Sequence, residues 1–211
     1  MRRVHSLFGY PFISHRTSDV GLTGTTKSPG VLCRAPMVLI DEFDKIDKDD
    51  QDGTLEAMSD GEVTITVGGE YVVYPAQVRI IAACNNGNMR PEQEDRFDLI
   101  YTLEHPDKDQ LKTIMDMKLK KLEGGTGGKE HRLWVVKYIQ WCCERIPKIE
   151  NKTKIQGILN KHIDELSDKG DSCRKVDRII KIAVAIARIK YGDITEPIIK
   201  EAIGMVSSVL K

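Results

Sequence analysis

Asp41, Glu42, Asn85 and Arg96 have the types and local settings that phosphoryl transfer to water requires. That chemistry needs a cation between the phosphates, a positioned water, and positive charge against the developing negative charge. In "MVLIDEFDKI" (37–46), four apolar residues run straight into two adjacent carboxylates. Asp41 is suited to hold magnesium, directly or through its water shell, and Glu42 to orient or polarise the attacking water. The same pair is equally suited to cap a following helix. Asn85 ends a second apolar run, "VRIIAAC" (78–84), where a neutral amide senses a γ-phosphate or holds the water, or serves as a turn residue. In "DRFDLI", Arg96 precedes a third apolar run and reads as an arginine finger or as a surface arginine paired with Asp95 or Asp98. The three features in this order go together far better than any one of them alone.

These groups need elements to position them. "MVLI" (37–40) is a short apolar run of the kind buried on both faces of a parallel sheet. "VRIIAAC" and "DLIYTL" (98–103) read as two more strands, and Phe8–Ser14 as a possible short one in an otherwise loop-rich stretch over 1–30. Asp47–Met58 reads as a helix with Asp47 at its N-cap and acids in its first turn. Gly53 inside it costs about 1 kcal/mol relative to alanine. "EVTITVGGEYVVYP" (62–75) alternates on both sides of Gly68-Gly69, which predicts a β-hairpin. After Pro106 the pattern becomes helical, over 108–122 and then about 131–145, 151–168, 172–191 and 195–210. Val176, Ile179, Ile180, Ala183, Val184 and Ala187 recur at helical spacing, and Thr195 with Pro197 marks a helix start. "GGTGG" (124–128) is the best break, dividing a partial α/β domain over 1–122 from an all-helical one over 123–211.

Lys+Arg and Asp+Glu both number 32, so the formal net charge is zero, which argues against a freestanding basic nucleic-acid binder. The balance hides a split of −7 over 1–106 and +7 over 107–211, either a docking complement or ordinary solvated surface. The five cysteines (Cys33, Cys84, Cys142, Cys143, Cys173) show no CxxC spacing and suit reduced thiols in a cytosolic protein. The histidines form no HxxxH pair, no apolar run is long enough to span a membrane, and the start makes a poor signal peptide.

"VLIDEFDKI", "EAMSDGEVTI", "IIAACNNGN" and "DRFDLIYTL" together resemble the AAA+ domain of the minichromosome maintenance (MCM) replicative helicases, the archaeal ones above all. "SDVGLTG" (18–24) resembles the segment before that family's Walker B strand, and 138–153 and 173–203 resemble its helical lid. The resemblance implies an ATP- and magnesium-dependent DNA helicase subunit, working in a hexameric ring of MCM subunits on DNA, in a prokaryotic cytoplasm at the nucleoid. It implies that Asp41-Glu42 are the Walker B pair, with Asp41 on magnesium, and that Asn85 is sensor 1. Arg96 is then the arginine finger and Arg174 the sensor 2 arginine, both acting on a neighbour's nucleotide. Val67, Gly68 and Gly69 form the tip of the pre-sensor 1 hairpin, which contacts DNA.

The sequence also departs from that pattern. A phosphate loop, GxxxxGK[ST], does not occur in it. "GLTGTTKS" (21–28) has Thr26 where the second glycine belongs and lies too near Asp41 for the intervening helix and strand. The family's N-terminal DNA-binding domain is not found, and the insertion before the Walker B strand is cut to a few residues. Glu70 stands near the hairpin tip, where it repels phosphate, while Thr64, Thr66 and Tyr71 remain able to make weak contacts. The implied strand order is 5-1-4-3-2, with candidates for strands 2 to 5 and none for the central strand 1. Three readings stay open: a helicase subunit or fragment inactive alone, a non-enzymatic ring partner supplying Arg96 and Arg174, or a decayed remnant.

Overall fold

The computed structural model describes residues 1–14, 19–85, 90–122, 129–167 and 172–208. They fall into two units, Met1–Phe97 and Asp98–Lys211. The first opens with helix α1 (Arg2–Phe8), which stops at Gly9 in a left-handed cap (φ 70°). That helix takes the start of the extended stretch expected over 8–14 and leaves only β1 (Phe12–Ile13) as strand. Then come α2 (Asp19–Leu22), β2 (Gly24–Thr25), β3 (Ser28–Pro29), α3 (Val31–Arg34) and β4 (Met37–Ile40). The described residues among the first thirty are therefore more regular than the loop-rich stretch expected there. A single 3-10 turn (Phe43–Lys45) leads to α4 (Lys48–Asp60), followed by β5 (Glu62–Val67), β6 (Glu70–Pro75), β7 (Arg79–Ala82) and α5 (Pro91–Glu94).

The sheet that carries the candidate site is β1-β4-β7, parallel throughout, with Leu39 opposite both Phe12 and Ile81. Val38, Leu39 and Ile40 are fully buried, the condition under which a continuous apolar run is stable as a parallel strand. This is the incomplete parallel sheet expected of a P-loop-type fold without its central strand. Its order matches the 4-3-2 portion of the expected sequence of strands. The other edge of β7 carries no strand among the described residues.

The third strand expected at 98–103 does not form. The segment is irregular, and Tyr101 and Leu103 are 71% and 91% exposed. A strand exists only where a neighbour pairs its backbone groups, and no described strand lies beside this one.

The hairpin β5-β6 runs in unbroken antiparallel register from Glu62↔Pro75 to Val67↔Glu70. Gly68 and Gly69 both have positive φ (61° and 87°), as a two-residue type I′ turn demands. Helix α4 begins after Asp47, but the Asp47 side chain makes no capping bond. Gly53 is explained by close approach: a Cβ there would lie 2.7 Å from Thr23 Cγ2. Ile13, Leu22, Leu32, Phe43 and Val63 fill the core beneath the sheet.

The second unit is helical: α6 (Lys108–Leu122), α7 (Lys129–Glu144), α8 (Lys152–Ser167), α9 (Ser172–Ile189) and α10 (Glu196–Ser208). Its core lies where α9 meets α8 and α10, around Ile155, Ile179, Ile199 and Val206. The buried face of α9 is Ile179, Ile182, Ala183, Ile186 and Ala187. It is rotated from the expected stripe, so that Ile180 is 44% exposed. Helix α10 begins directly after Thr195, with Pro197 at its second position. Residues 108–120 of α6 are exposed throughout. The "GGTGG" break at 124–128 lies outside the described residues. By contacts the chain divides between Phe97 and Asp98, which counts α6 with the helices.

Candidate functional site

The site starts from the end of β4. Asp41 N–H donates to the Ile13 carbonyl (2.9 Å) and Phe43 N–H to the Ala83 carbonyl (3.0 Å), so the chain is pinned on both sides of Glu42. Phe43 is fully buried and meets Phe97 edge-on at 5.9 Å. Between these anchors Glu42 takes a left-handed backbone (φ 56°, ψ 45°). That conformation costs a non-glycine residue on the order of 1–3 kcal/mol and persists only where its surroundings enforce it.

The enforced geometry brings two of the sequence-derived residues together. The Asn85 side-chain amide donates to Glu42 Oε1 at 3.4 Å, and its backbone N–H donates to Asp44 Oδ1 at 3.4 Å. Lys45 forms an ion pair with the same Glu42 oxygen. That hydrogen bond raises the Lys45 ammonium above its ordinary value, and the charges of Asp44 and Asp41 add to it. Burial pushes the Cys84 thiol up and the charge of Asp44 adds to this, partly offset by a backbone hydrogen bond at Asp44.

A second set of contacts ties the turn after Glu42 to the segment before Arg96. Buried Gln51 donates through Nε2 to the carbonyls of Phe43 (3.1 Å) and Ile46 (2.8 Å). Its Oε1 accepts from Gln93 Nε2 (2.5 Å) and Arg90 Nη2 (3.3 Å), and Arg90 also reaches Asp52 at 2.6 Å. Lys45, Gln51, Arg90 and Gln93 were given no role by motif reasoning. The signal for part of this was present: Arg-Pro-Glu-Gln (90–93) is a helix start with proline in its first turn and a glutamine reaching back to the cap.

Arg96 follows α5, half-buried, with its N–H on the Gln93 carbonyl (3.0 Å). Its side chain makes no hydrogen bond or ion pair among the described residues. Asp98, one of its two expected partners, lies instead 3.7 Å from Lys181. Arg174 belongs to the second unit, exposed in the first turn of α9. At the β5-β6 tip, Val67, Gly68 and Gly69 are all exposed, with Glu70 beside them.

Asp41 and Asn85 offer hard oxygen donors at adjacent strand ends. This suits magnesium, which keeps most of its waters and takes one or two carboxylates together with substrate phosphates. No cluster of three or more potential ligands among the described residues would hold a metal unaided. In the "GLTGTTKS" stretch, Gly21 and Leu22 end α2, and β2 then pairs with β3 in a small hairpin. The N–H groups of Lys27 and Ser28 are taken by Thr25 Oγ1 (both 3.2 Å), and the Thr26 carbonyl by the Tyr74 hydroxyl (3.2 Å). Those amides are therefore unavailable to a phosphate. No helix among the described residues is long and apolar enough to cross a membrane.

Fold and site together define a P-loop-type α/β unit that carries the acidic strand end and its amide partner, followed by helices. The family model for the MCM P-loop domain matches residues 19–121. An uncharacterized MCM-type protein of Methanocaldococcus jannaschii is 28% identical over 228 residues, covering 92% of this chain and 33% of the relative. DNA replication licensing factor MCM5 of Oryza sativa subsp. indica is 23% identical over 205 residues, covering 79% of this chain and 28% of the relative. The matching family model and both relatives place the likeness of this chain with the MCM family. It spans about a third of the length of the curated relatives it matches.

Proposed function

We propose that this chain is an MCM-type component of an ATP-driven DNA-unwinding ring used in replication, holding the magnesium and water end of a nucleotide site and turning over no ATP alone. The observation that carries this is the Asn85–Glu42 contact at the ends of two adjacent parallel strands. In this reading Asp41 holds magnesium, Glu42 polarises the water and Asn85 positions it. Phosphate needs backbone amides and a lysine to be held tightly, and these 211 residues contain no such loop sequence. Asp41, Glu42 and Asp44 repel phosphate except through magnesium. The purified chain is expected to show no ATPase activity, and turnover that disappears on Glu42→Gln would refute the reading. The name of the rice relative supports a link to replication.

A second reading is favoured by the Arg96 side chain, which no described partner engages. Here the chain is a ring partner that presents Arg96, with Arg174, to nucleotide held by an intact neighbour. An arginine finger contributes about 10³–10⁵ in rate to the site it completes and needs no phosphate loop of its own. Mixed with an intact MCM subunit from the same cell, the chain is expected to enter hexamers and change ATPase activity per ring. Arg96→Ala then abolishes the stimulation and leaves assembly intact. Absence of co-assembly at micromolar concentration removes this reading and leaves a remnant without a role. In either reading the exposed tip at Val67, Gly68 and Gly69 makes at most a weak DNA contact, because Glu70 lies beside it.

A further inference from the structure

The two tryptophans of the chain, Trp134 and Trp141, stand on one face of α7 and belong to a single aromatic ladder. Trp134 stacks on Tyr138 (centroids 5.3 Å, planes 7° apart), Tyr138 meets Trp141 at 6.0 Å, and Trp141 stacks on Tyr191 (4.2 Å, 8°). The Arg145 guanidinium lies over the Tyr191 ring at 4.5 Å. Trp134 is 64% exposed, Trp141 44% and Tyr191 51%. A core cluster would bury such rings, because each aromatic side chain withdraws about 150–250 Å² from water when it packs.

Tyr191 sits in a left-handed backbone (φ 52°), a conformation usually left to glycine after a helix. The frame around it is well braced. The Tyr138 hydroxyl donates to the Ile189 carbonyl (2.8 Å), and Arg145 bonds the Gly192 carbonyl (3.1 Å) and Asp193 (3.0 Å). The rings are therefore held in a fixed, parallel arrangement at the surface.

The charge beside the ladder says what covers it. Segments 134–148 and 188–193 hold Lys137, Arg145, Lys148, Arg188 and Lys190 against Glu144 and Asp193. Arg145 is paired with Asp193, and Lys190 with Glu201. Lys137, Lys148 and Arg188 have no ion pair among the described residues; the Arg188 Nε–H is held by the Arg145 carbonyl (3.0 Å), and the charge of Lys148 helps lower the Asp193 carboxyl. Flat, exposed rings in segments with an excess of cations match a polyanion that carries planar groups, since aromatics stack on bases while lysine and arginine neutralise phosphates.

The geometry points to the Trp134–Tyr138–Trp141–Tyr191 ladder as a stacking platform for single-stranded DNA, with Lys137, Lys148 and Arg188 on its phosphates. Duplex DNA, whose bases already stack on one another, cannot use the rings. The site lies wholly in the second unit and does not depend on the nucleotide site of the first. Its failure would leave the ATP reading standing, and the converse holds as well.

The test uses the full chain and its intrinsic fluorescence, which reports the ladder directly because both tryptophans lie in it. A mixed-sequence single-stranded DNA of about 12 nucleotides is expected to quench the signal saturably. An abasic strand of equal length and a duplex are each expected to bind at least about 10-fold more weakly. Trp134→Ala, at an exposed end of the ladder, is expected to cost about 10-fold in affinity at unchanged thermal stability, with Trp134→Phe restoring most of it. Four results would overturn the assignment: equal binding of the abasic strand or duplex, binding seen by anisotropy without quenching, wild-type affinity in Trp134→Ala, or tighter binding of the same-sequence RNA. Quenching by a proline-rich peptide and not by DNA would give the ladder to a protein partner instead.

Discussion

The Asn85 amide donates to the Glu42 carboxylate across 3.4 Å, joining the loops that leave two neighbouring parallel strands. Glu42 makes this contact from a left-handed backbone. Relief of that conformation returns about 1–2 kcal/mol, less the roughly 0.5–1 kcal/mol of chain entropy that glycine adds to the unfolded state. Glu42→Gly is therefore expected to stabilise the first unit by about 0.5–1 kcal/mol in urea unfolding. A loss of stability would show that the contacts with Asn85 and Lys45 outweigh the strain.

Gln51 is a different case, since its amide serves two main-chain carbonyls and two neighbouring side chains. Gln51→Ala removes a partner from each of these groups, of which the Phe43 carbonyl keeps the Ile46 N–H and Arg90 keeps Asp52, at an expected cost of about 1–3 kcal/mol. Hydrogen exchange of the Phe43–Ile46 amides is expected to accelerate along with it. Unchanged exchange there would mean that the turn below Glu42 is held by Phe43 packing alone.

Two glycines are expected to respond in opposite directions. A Cβ at Gly30 would lie 2.3 Å from the Leu22 carbonyl oxygen, so backbone must move, and Gly30→Ala is expected to cost about 1–3 kcal/mol. At Gly204, exposed on α10, a Cβ meets nothing within 4 Å. Gly204→Ala is expected to gain about 0.5–1 kcal/mol from helix propensity. Thermal melts of the two variants check the pair.

Acid should weaken the second unit through Glu196, in the first turn of α10. Hydrogen bonds from Lys154 (2.6 Å) and Lys200 (2.7 Å) lower its carboxyl from 4.5 to about 2. A depressed carboxylate stabilises fully above its unfolded value. Its contribution is therefore present at neutral pH and lost as pH falls from 4.5 toward about 2. Glu196→Gln is expected to flatten the acid limb of a circular-dichroism stability profile in that window. An unchanged limb would assign the loss to other carboxylates.

Local patterns were the legible part of this chain. The four apolar residues of β4 and the alternation around Gly68-Gly69 lead to the observed strand and hairpin, because burial and turn chemistry at those places are decided within a few residues. The helical texture after Pro106 was equally plain. What required partners was not legible. "DLIYTL" has strand composition yet no neighbour to pair with, and α9 turned its Ile180 outward because α8 and α10 choose which face is covered. At the site, the carboxylates and Asn85 stood out by type. The Gln51 contacts did not, since their members lie far apart in sequence and become neighbours only when α4 and α5 pack.

The β5-β6 hairpin also has a kinetic meaning. Its ladder closes from Val67↔Glu70 outward, between residues close in sequence, and such units form in about 1–10 μs. The β1-β4-β7 sheet must instead bring together strands separated by whole helices and by that hairpin. Long-range parallel pairing of this kind is slow, because loop-closure entropy is lost before any contact offsets it. The exposed glycine tip is thus in place before the acidic strand end it accompanies. During refolding, fast protection should appear at 62–75 and slow protection at 37–40 and 79–82.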